Sequence, residues 1–141
     1  MALPPFRADG TLPVGEHLAT WTEFTARYGG GGRRDSLLVG LVAALDELRR
    51  VGCKAVWIDG SLVTSKPEPN DFDMCWDETG VDVAALDPVF RAFAHRRAAQ
   101  KAKYGGEMFP AGAQADAQGA TYRQFFQQKY GVAKGIVRID L

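Results

Sequence analysis

The stretch WIDGSLVTSKPEPNDFDMCW, residues 57–76, decides the fold predicted for this chain. It is typical of a strand, a Gly-Ser turn, a polar loop and a second strand that carries Asp71 and Asp73. Side chains alternate between the two faces of a strand, so these two carboxylates point to the same face. Packing alone does not call for such a pair, and a divalent cation is the leading candidate ligand.

The residues before this stretch predict an arm followed by two helices. Residues 1–17 are rich in proline and glycine and are expected to form an extended arm. Thr20 and Glu23 have the spacing of a capping box, which predicts a short helix over residues 21–28. Apolar residues at helical spacing predict a longer, core-facing helix over residues 34–51.

The remainder of the chain completes an α/β, or α+β, protein. At 141 residues the chain has the length of a single domain, and we expect a small sheet of three to four strands flanked by helices. The predicted elements are strands over residues 54–59, 71–77 and 135–141, helices over 88–103 and 121–130, and an irregular loop over 104–119.

The overall composition does not indicate binding to nucleic acid or to a membrane. The 17 basic and 17 acidic residues leave a net charge of zero. No apolar run approaches the roughly 20 residues of a transmembrane helix, and the N-terminus lacks the apolar segment of a signal peptide. Cys53 and Cys75 show no metal-ligand spacing and indicate reduced thiols. A cytoplasmic protein without a membrane partner is therefore expected.

The central stretch contains the parts needed for metal-assisted phosphoryl chemistry. Magnesium usually takes one or two carboxylates plus substrate phosphates, and Asp71 and Asp73 would supply the carboxylates. Gly60 lets the backbone approach a phosphate closely, and Ser61 offers N–H and hydroxyl donors. Asp140 in the last predicted strand is the best candidate for a third carboxylate, which would bind metal or act as a base.

Gly60-Ser61, followed after residues 62–70 by Asp71-Phe72-Asp73, resembles the GS…DxD signature of the DNA-polymerase-β-like nucleotidyltransferase superfamily. The resemblance covers residues 52–76, with the strand over 135–141 fitting the third-carboxylate strand, and is closest to small stand-alone bacterial members. It implies a mixed sheet, two Mg²⁺ ions (or Mn²⁺), and transfer of a nucleoside monophosphate from a nucleoside triphosphate to a hydroxyl, with release of pyrophosphate.

The same resemblance implies partners and residue roles. The partners are a nucleoside triphosphate, an acceptor that is RNA (such as tRNA), a protein or a small molecule, and a cognate toxin or antitoxin protein. The segment between Ser61 and Pro67 is shorter than the family's usual helix, so Lys66 is assigned as the phosphate cation. Carried over by position, Gly60 and Ser61 bind the triphosphate, Asp71 and Asp73 bind metal, and Asp140 binds metal or acts as base.

Two other functions remain open from the sequence. One is a catalytically inactive nucleotidyltransferase fold that binds a nucleotide or a partner protein. The other is a metal-dependent phosphohydrolase, in which the same carboxylates would activate water instead of a hydroxyl group.

Overall fold

Two antiparallel strands from the central stretch, β2 (Ala55–Asp59) and β3 (Phe72–Trp76), lie within a five-stranded sheet in the computed structural model, which describes residues 3–141. β7 (Gly135–Asp140) runs antiparallel to β2, and β4 (Gly106–Pro110) runs parallel to β3. β1 (Gly15–Leu18) pairs in parallel with β7 at one edge, which gives the order β1-β7-β2-β3-β4. The predicted α+β class is confirmed, with five strands in the sheet instead of three or four.

Helices flank this sheet, and a small hairpin precedes its last strand. None of the helices within residues 3–141 combines the length and the apolar character needed to cross a bilayer. The helices are α1 (Trp21–Tyr28), α2 (Gly32–Arg50), α3 (Ala94–Tyr104) and α4 (Tyr122–Phe125), with 3₁₀ turns at Ser61–Val63 and Pro88–Arg91, and the hairpin consists of β5 (Gln128–Lys129) and β6 (Val132–Ala133).

The two predicted N-terminal helices form for the expected reasons. Thr20 and Glu23 make the capping box, because each side chain accepts a hydrogen bond from the other residue's backbone N–H. In α2 the leucines at helical spacing are buried and pack on the sheet. The buried stripe comprises Leu37, Leu38, Leu41, Leu45 and Leu48.

Strand alternation divides the sheet into two faces with separate cores. The larger core packs α1 and α2 against one face, which includes Ile58, Met74 and Val137. The opposite face carries a smaller cluster that includes Trp57 and Phe109. Because Asp59, Asp71, Asp73 and Glu107 alternate with residues of the larger core, their side chains belong to this second face. The polar site therefore lies at one end of the smaller cluster.

The segment 104–119 was expected to be an irregular loop, which is wrong for residues 104–110 and confirmed for residues 111–119. Residues 106–110 form β4, in which Met108 enters the larger core while Phe109 joins the smaller one. A Cβ atom on Gly106 would lie 2.5 Å from the ring of Phe72, so glycine is needed for this close pairing of β4 with β3. The pairing supplies a strand beside Asp73 that local sequence features do not reveal.

Three other expected boundaries also change. Residues 1 and 2 of the arm expected over residues 1–17 lie outside the described residues, and residues 15–17 belong to β1, because Gly15 pairs with Gly135 of the terminal strand. The helix expected over 88–103 is interrupted, since His95, Arg96 and Arg97 have positive φ angles of 53°, 56° and 60°. The helix expected over 121–130 ends at Phe125 and is followed by the β5–β6 hairpin.

Substitution of Gly40 by alanine tests the packing of α2 beneath the C-terminal end of α3. In an exposed helix, alanine is about 1 kcal/mol more favourable than glycine. A Cβ atom on Gly40 would lie 1.8 Å from the carbonyl oxygen of Tyr104, so we expect Gly40→Ala to lower the free energy of unfolding by about 2 kcal/mol or more. Urea denaturation measures this change. Val39→Ala, at a neighbouring exposed position, is the control and should change stability little; a Gly40→Ala protein as stable as the wild type would contradict the packing.

Candidate functional site

Three carboxylates occupy adjacent positions on three neighbouring strands. Asp59 on β2 is paired in register with Asp73 on β3, and Asp73 is paired in register with Glu107 on β4. Asp71 precedes Asp73 by two residues and lies on the same face of the sheet. The sheet register thus gathers four acidic side chains from three parts of the chain at one end of its second face.

The two outer carboxylates of this row are each paired with cations. Asp59 is buried and forms an ion pair with the buried Lys134, whose Nζ also donates to the Phe126 carbonyl oxygen at 2.8 Å. Glu107 Oε1 accepts from Arg97 Nη2 at 2.8 Å and lies 3.2 Å from Lys101 Nζ. Among residues 3–141, Asp73 forms no ion pair, although it lies between these two compensated carboxylates.

This arrangement shifts the proton affinity of the carboxylates in opposite directions. Burial, followed by the charges of Asp59, Glu107 and Asp71, raises the pKa of Asp73 to about 8. Burial also raises the pKa of Asp71, with Glu107 adding to the effect. For Glu107, burial is outweighed by hydrogen bonds from Arg97 and Lys101, which lower its pKa. At neutral pH, Asp73 is therefore mostly protonated and Glu107 is ionised.

Gly60 is fixed in place by both its backbone conformation and its contact with Asp73. Its φ of +84° lies in the region that favours glycine. A Cβ atom at this position would lie 2.6 Å from Asp73 Oδ2, so a side chain would collide with the carboxylate. The Gly-Ser turn and the Asp-x-Asp strand are therefore in direct contact, and any group bound by one would lie near the other.

Two arginines at the start of α2 hold the loop that joins Gly60-Ser61 to β3. Arg34 donates from Nη1 to the Leu62 carbonyl oxygen and from Nη2 to the Thr64 carbonyl oxygen, each at 2.8 Å, and also to that of Lys66. Arg33 donates to the carbonyl oxygen of Asn70 near the other end of the loop. These bonds satisfy carbonyl groups that no regular element pairs, and they fix the loop's path.

A cavity of about 670 Å³ opens above the row of carboxylates. Asp59 and Asp73 line it, and Gly60-Ser61 and residues 64–66 form one wall. Phe125, residues 128–130 of the β5–β6 hairpin, Lys134 and residues 9–11 complete the lining. This volume is within the range of sites that take small molecules, and the lining combines carboxylates, lysines, hydroxyls and aromatic rings.

The structure brings together most of the site residues expected from the sequence. Gly60, Ser61, Lys66 and Asp73 line the same cavity, with Lys66 exposed at its margin. Asp71 lies on the same strand face as Asp73, two residues away, although it does not line the cavity.

Asp140 does not join them, so the expected cluster of Asp140 with Asp71 and Asp73 is wrong. β7 runs antiparallel to β2, and Asp140 is therefore opposite Ala55, at the other end of the strand from Asp59. Ile136 is the β7 residue nearest to Asp59 in this register, and four residues of strand separate it from Asp140, about 13 Å. The exposed Asp140 carboxylate accepts a hydrogen bond from Arg138 Nε at 2.8 Å.

Glu107, Asp59 and Lys134 belong to the site but were not selected from the sequence. Asp59 stands directly before Gly60 and two residues after Trp57 in the same strand, which is a signal that it shares the second face. Glu107 stands in a five-residue segment that begins with glycine and ends with proline, so the sequence indicates a strand there only weakly. For Lys134 no local feature indicates burial, because its partner Asp59 lies 75 residues away.

The donors present are of the type that Mg²⁺ prefers, although they are not arranged as a ready metal site. Within the described part of the chain, no group of three or more His, Cys, Asp or Glu side chains is placed to hold a metal ion. The reason is visible in the contacts: Glu107 is turned toward Arg97 and Lys101, and Asp59 toward Lys134. Asp73, without an ion-pair partner among residues 3–141, and Asp71 supply carboxylate oxygens that fit a hard divalent cation.

Fold and cavity together define a small α+β protein whose cavity is lined by carboxylates and lysines. The chain belongs to a family of unknown function, DUF6932, whose profile matches residues 4–140. Searches of curated proteins and of solved structures find no significant match.

The raised pKa of Asp73 makes the metal-free protein less stable as pH rises. The folded state keeps a proton that the unfolded state releases, so stability falls between the ordinary pKa of 3.8 and about 8. Asp73→Asn removes this dependence, and we expect it to raise the free energy of unfolding by on the order of a few kcal/mol at neutral pH, but little at pH 4. Thermal melts in EDTA at both pH values measure the difference. Asp140→Asn, at an exposed position, is the control; an equal shift for Asp73→Asn at both pH values would contradict this explanation.

Proposed function

We propose that this protein is a Mg²⁺-dependent nucleotidyltransferase, which transfers a nucleoside monophosphate from a nucleoside triphosphate to a hydroxyl group. The observation that carries the proposal is the contact of Gly60 with Asp73 at the base of the cavity. It combines a backbone suited to phosphate with a carboxylate suited to a cation. The resemblance of Gly60-Ser61 and Asp71-Phe72-Asp73 to the nucleotidyltransferase signature supports the same chemistry.

Asp71, Asp73 and Glu107 are the residues that would hold Mg²⁺ in this proposal, with Glu107 in place of Asp140. Bound Mg²⁺ would supply neutralisation of the charge that develops on the α-phosphate and on the departing pyrophosphate. The raised pKa of Asp73 reflects burial and neighbouring negative charge, which are conditions that a cation relieves. To bind the cation, Glu107 must then give up at least part of its contact with Arg97 and Lys101.

The other side chains of the cavity have separate roles in the proposed reaction. The backbone N–H of Ser61 and its hydroxyl group would bind the triphosphate, and Lys66 would pair with phosphate oxygens at the margin. Lys134, held by Asp59 and the Phe126 carbonyl, keeps a positive charge next to the Gly-Ser turn. Glu107 is ionised at neutral pH and would accept the proton of the acceptor hydroxyl group.

A non-catalytic nucleotide- or partner-binding module is the second candidate, and one observation favours it. The pairing of Asp59 with Lys134 and of Glu107 with Arg97 leaves fewer carboxylates for cations than an active site needs. In either case the proposed partners are a nucleoside triphosphate and an acceptor that is RNA, protein or a small molecule, or a cognate toxin or antitoxin protein. The proposed location is the cytoplasm.

Label transfer tests the catalytic proposal and the choice between Glu107 and Asp140. The protein is incubated with Mg²⁺, each α-³²P-labelled ribonucleoside triphosphate, and total RNA or lysate protein as acceptor. We expect radioactive label in one acceptor fraction, at least a hundredfold less with Asp73→Asn or Glu107→Gln, and unchanged with Asp140→Asn. Thermal melts of each variant check that it is folded.

The alternatives give different results in the same experiment. Labelled monophosphate or diphosphate released without any labelled acceptor would indicate a phosphohydrolase. Nucleotide binding without turnover would indicate the non-catalytic module. Full label transfer by Glu107→Gln together with loss in Asp140→Asn would refute the revised carboxylate set.

A further inference from the structure

An exposed tyrosine at the tip of the β5–β6 hairpin lines the same cavity as the Gly-Ser turn. Tyr130 is 95% exposed, and Phe125, which also lines this cavity, is 38% exposed. Neither ring belongs to the buried part of either core. Large aromatic side chains exposed together at a cavity are unfavourable in a free protein and are typical of a surface that binds a ligand.

The turn that presents Tyr130 is a poor one for tyrosine. Lys129 pairs with Val132, so Tyr130 and Gly131 form a two-residue turn, with φ angles of +51° and +79°. Turns with positive φ at both positions favour Asn-Gly, because asparagine tolerates this conformation better than other residues with a side chain. Tyrosine is therefore kept at a position where the fold alone would prefer asparagine, which indicates a use for its ring.

The hairpin is held firmly enough to act as a wall. The Gln128 side chain accepts a hydrogen bond from the Gly131 N–H at 2.8 Å, which closes the turn. Arg7 donates to the Ala133 carbonyl oxygen at 3.0 Å, and the Lys134 N–H donates to the Gln127 carbonyl oxygen at 3.0 Å. Because the backbone that carries the ring is already ordered, little backbone freedom is lost when a ligand packs against the ring.

From this arrangement we propose that Tyr130 stacks against the nucleobase of the bound triphosphate, with Phe125 as a second aromatic ring in the same cavity. This inference rests on the proposed function, since the phosphates would lie against Gly60-Ser61 and Lys66, which line the same cavity. A nucleotide has both a polyanionic end and a flat aromatic end. The cavity lining matches both ends, with hydroxyl groups and lysines for the phosphates and two aromatic rings for the base.

Stacking on an aromatic face is tolerant of base identity, because every base has a π-face. Tyr130 should therefore add affinity for all four nucleotides and discriminate weakly between them. The contribution depends on the ring and not on the hydroxyl group, so phenylalanine should replace tyrosine without loss.

The experiment compares triphosphates with and without a base. Isothermal titration in Mg²⁺ measures dissociation constants for ATP, CTP, GTP and UTP and for inorganic tripolyphosphate, with wild type, Tyr130→Asn, Tyr130→Phe and Val132→Ala. Asparagine suits the turn, so Tyr130→Asn should fold and melt at or above the wild-type temperature. Val132 is the matched control, because it is exposed on the same hairpin but does not line the cavity.

We expect the wild type to bind each nucleotide at least tenfold more tightly than tripolyphosphate, and Tyr130→Asn to lose roughly tenfold in nucleotide affinity with tripolyphosphate unchanged. Tyr130→Phe and Val132→Ala should retain wild-type affinities. Equal wild-type affinity for tripolyphosphate and nucleotides, or unchanged nucleotide affinity in Tyr130→Asn, overturns the stacking site but leaves the phosphate site standing. If the protein binds neither the nucleotides nor tripolyphosphate, the proposed function itself is refuted, and the stacking site with it.

Discussion

Asp73, which forms no ion pair among residues 3–141, is the constraint on which this end of the sheet depends. On each side the neighbouring strand places another carboxylate beside it, and each of those pairs with a cation from outside its own strand. The Asp59–Lys134 pair joins β2 to the residue just before β7, and the Glu107–Arg97 pair joins β4 to α3. Removing one member of a buried pair leaves an uncompensated charge, so these links connect the stability of the sheet to the chemistry of the cavity.

Local sequence features were sufficient for the centre of the site but not for its surroundings. Gly60-Ser61 and Asp71-Phe72-Asp73 lie in one contiguous stretch, so the turn and the strand alternation place them without knowledge of the rest of the fold. Glu107 depends on parallel pairing between β3 and β4, which brings together segments separated by a long connection. Asp140 was misplaced because the direction of β7 relative to β2 is a property of the topology and not of the strand's own residues.

The difference between local features and long-range contacts also explains which secondary-structure elements were predicted correctly. α1 has a capping box and α2 has apolar residues at helical spacing, both encoded in their own residues, and the structure confirms both helices. The long helix expected after Pro88 is interrupted by a left-handed segment that ends at Arg97, whose side chain pairs with Glu107. Three successive non-glycine residues with positive φ carry a local cost, which tertiary contacts of this kind must offset. Helix propensity contains no information about such contacts.

The arginines at the start of α2 have a consequence for how any ligand would bind at the Gly-Ser turn. By holding carbonyl groups at Leu62, Thr64 and Asn70, they fix the loop before a ligand arrives. The entropic cost of ordering that segment is therefore part of folding, and it does not reduce the free energy of binding. A loop of the same residues without these anchors would need to lose its freedom at the moment of binding, and would bind the same ligand more weakly despite making identical contacts.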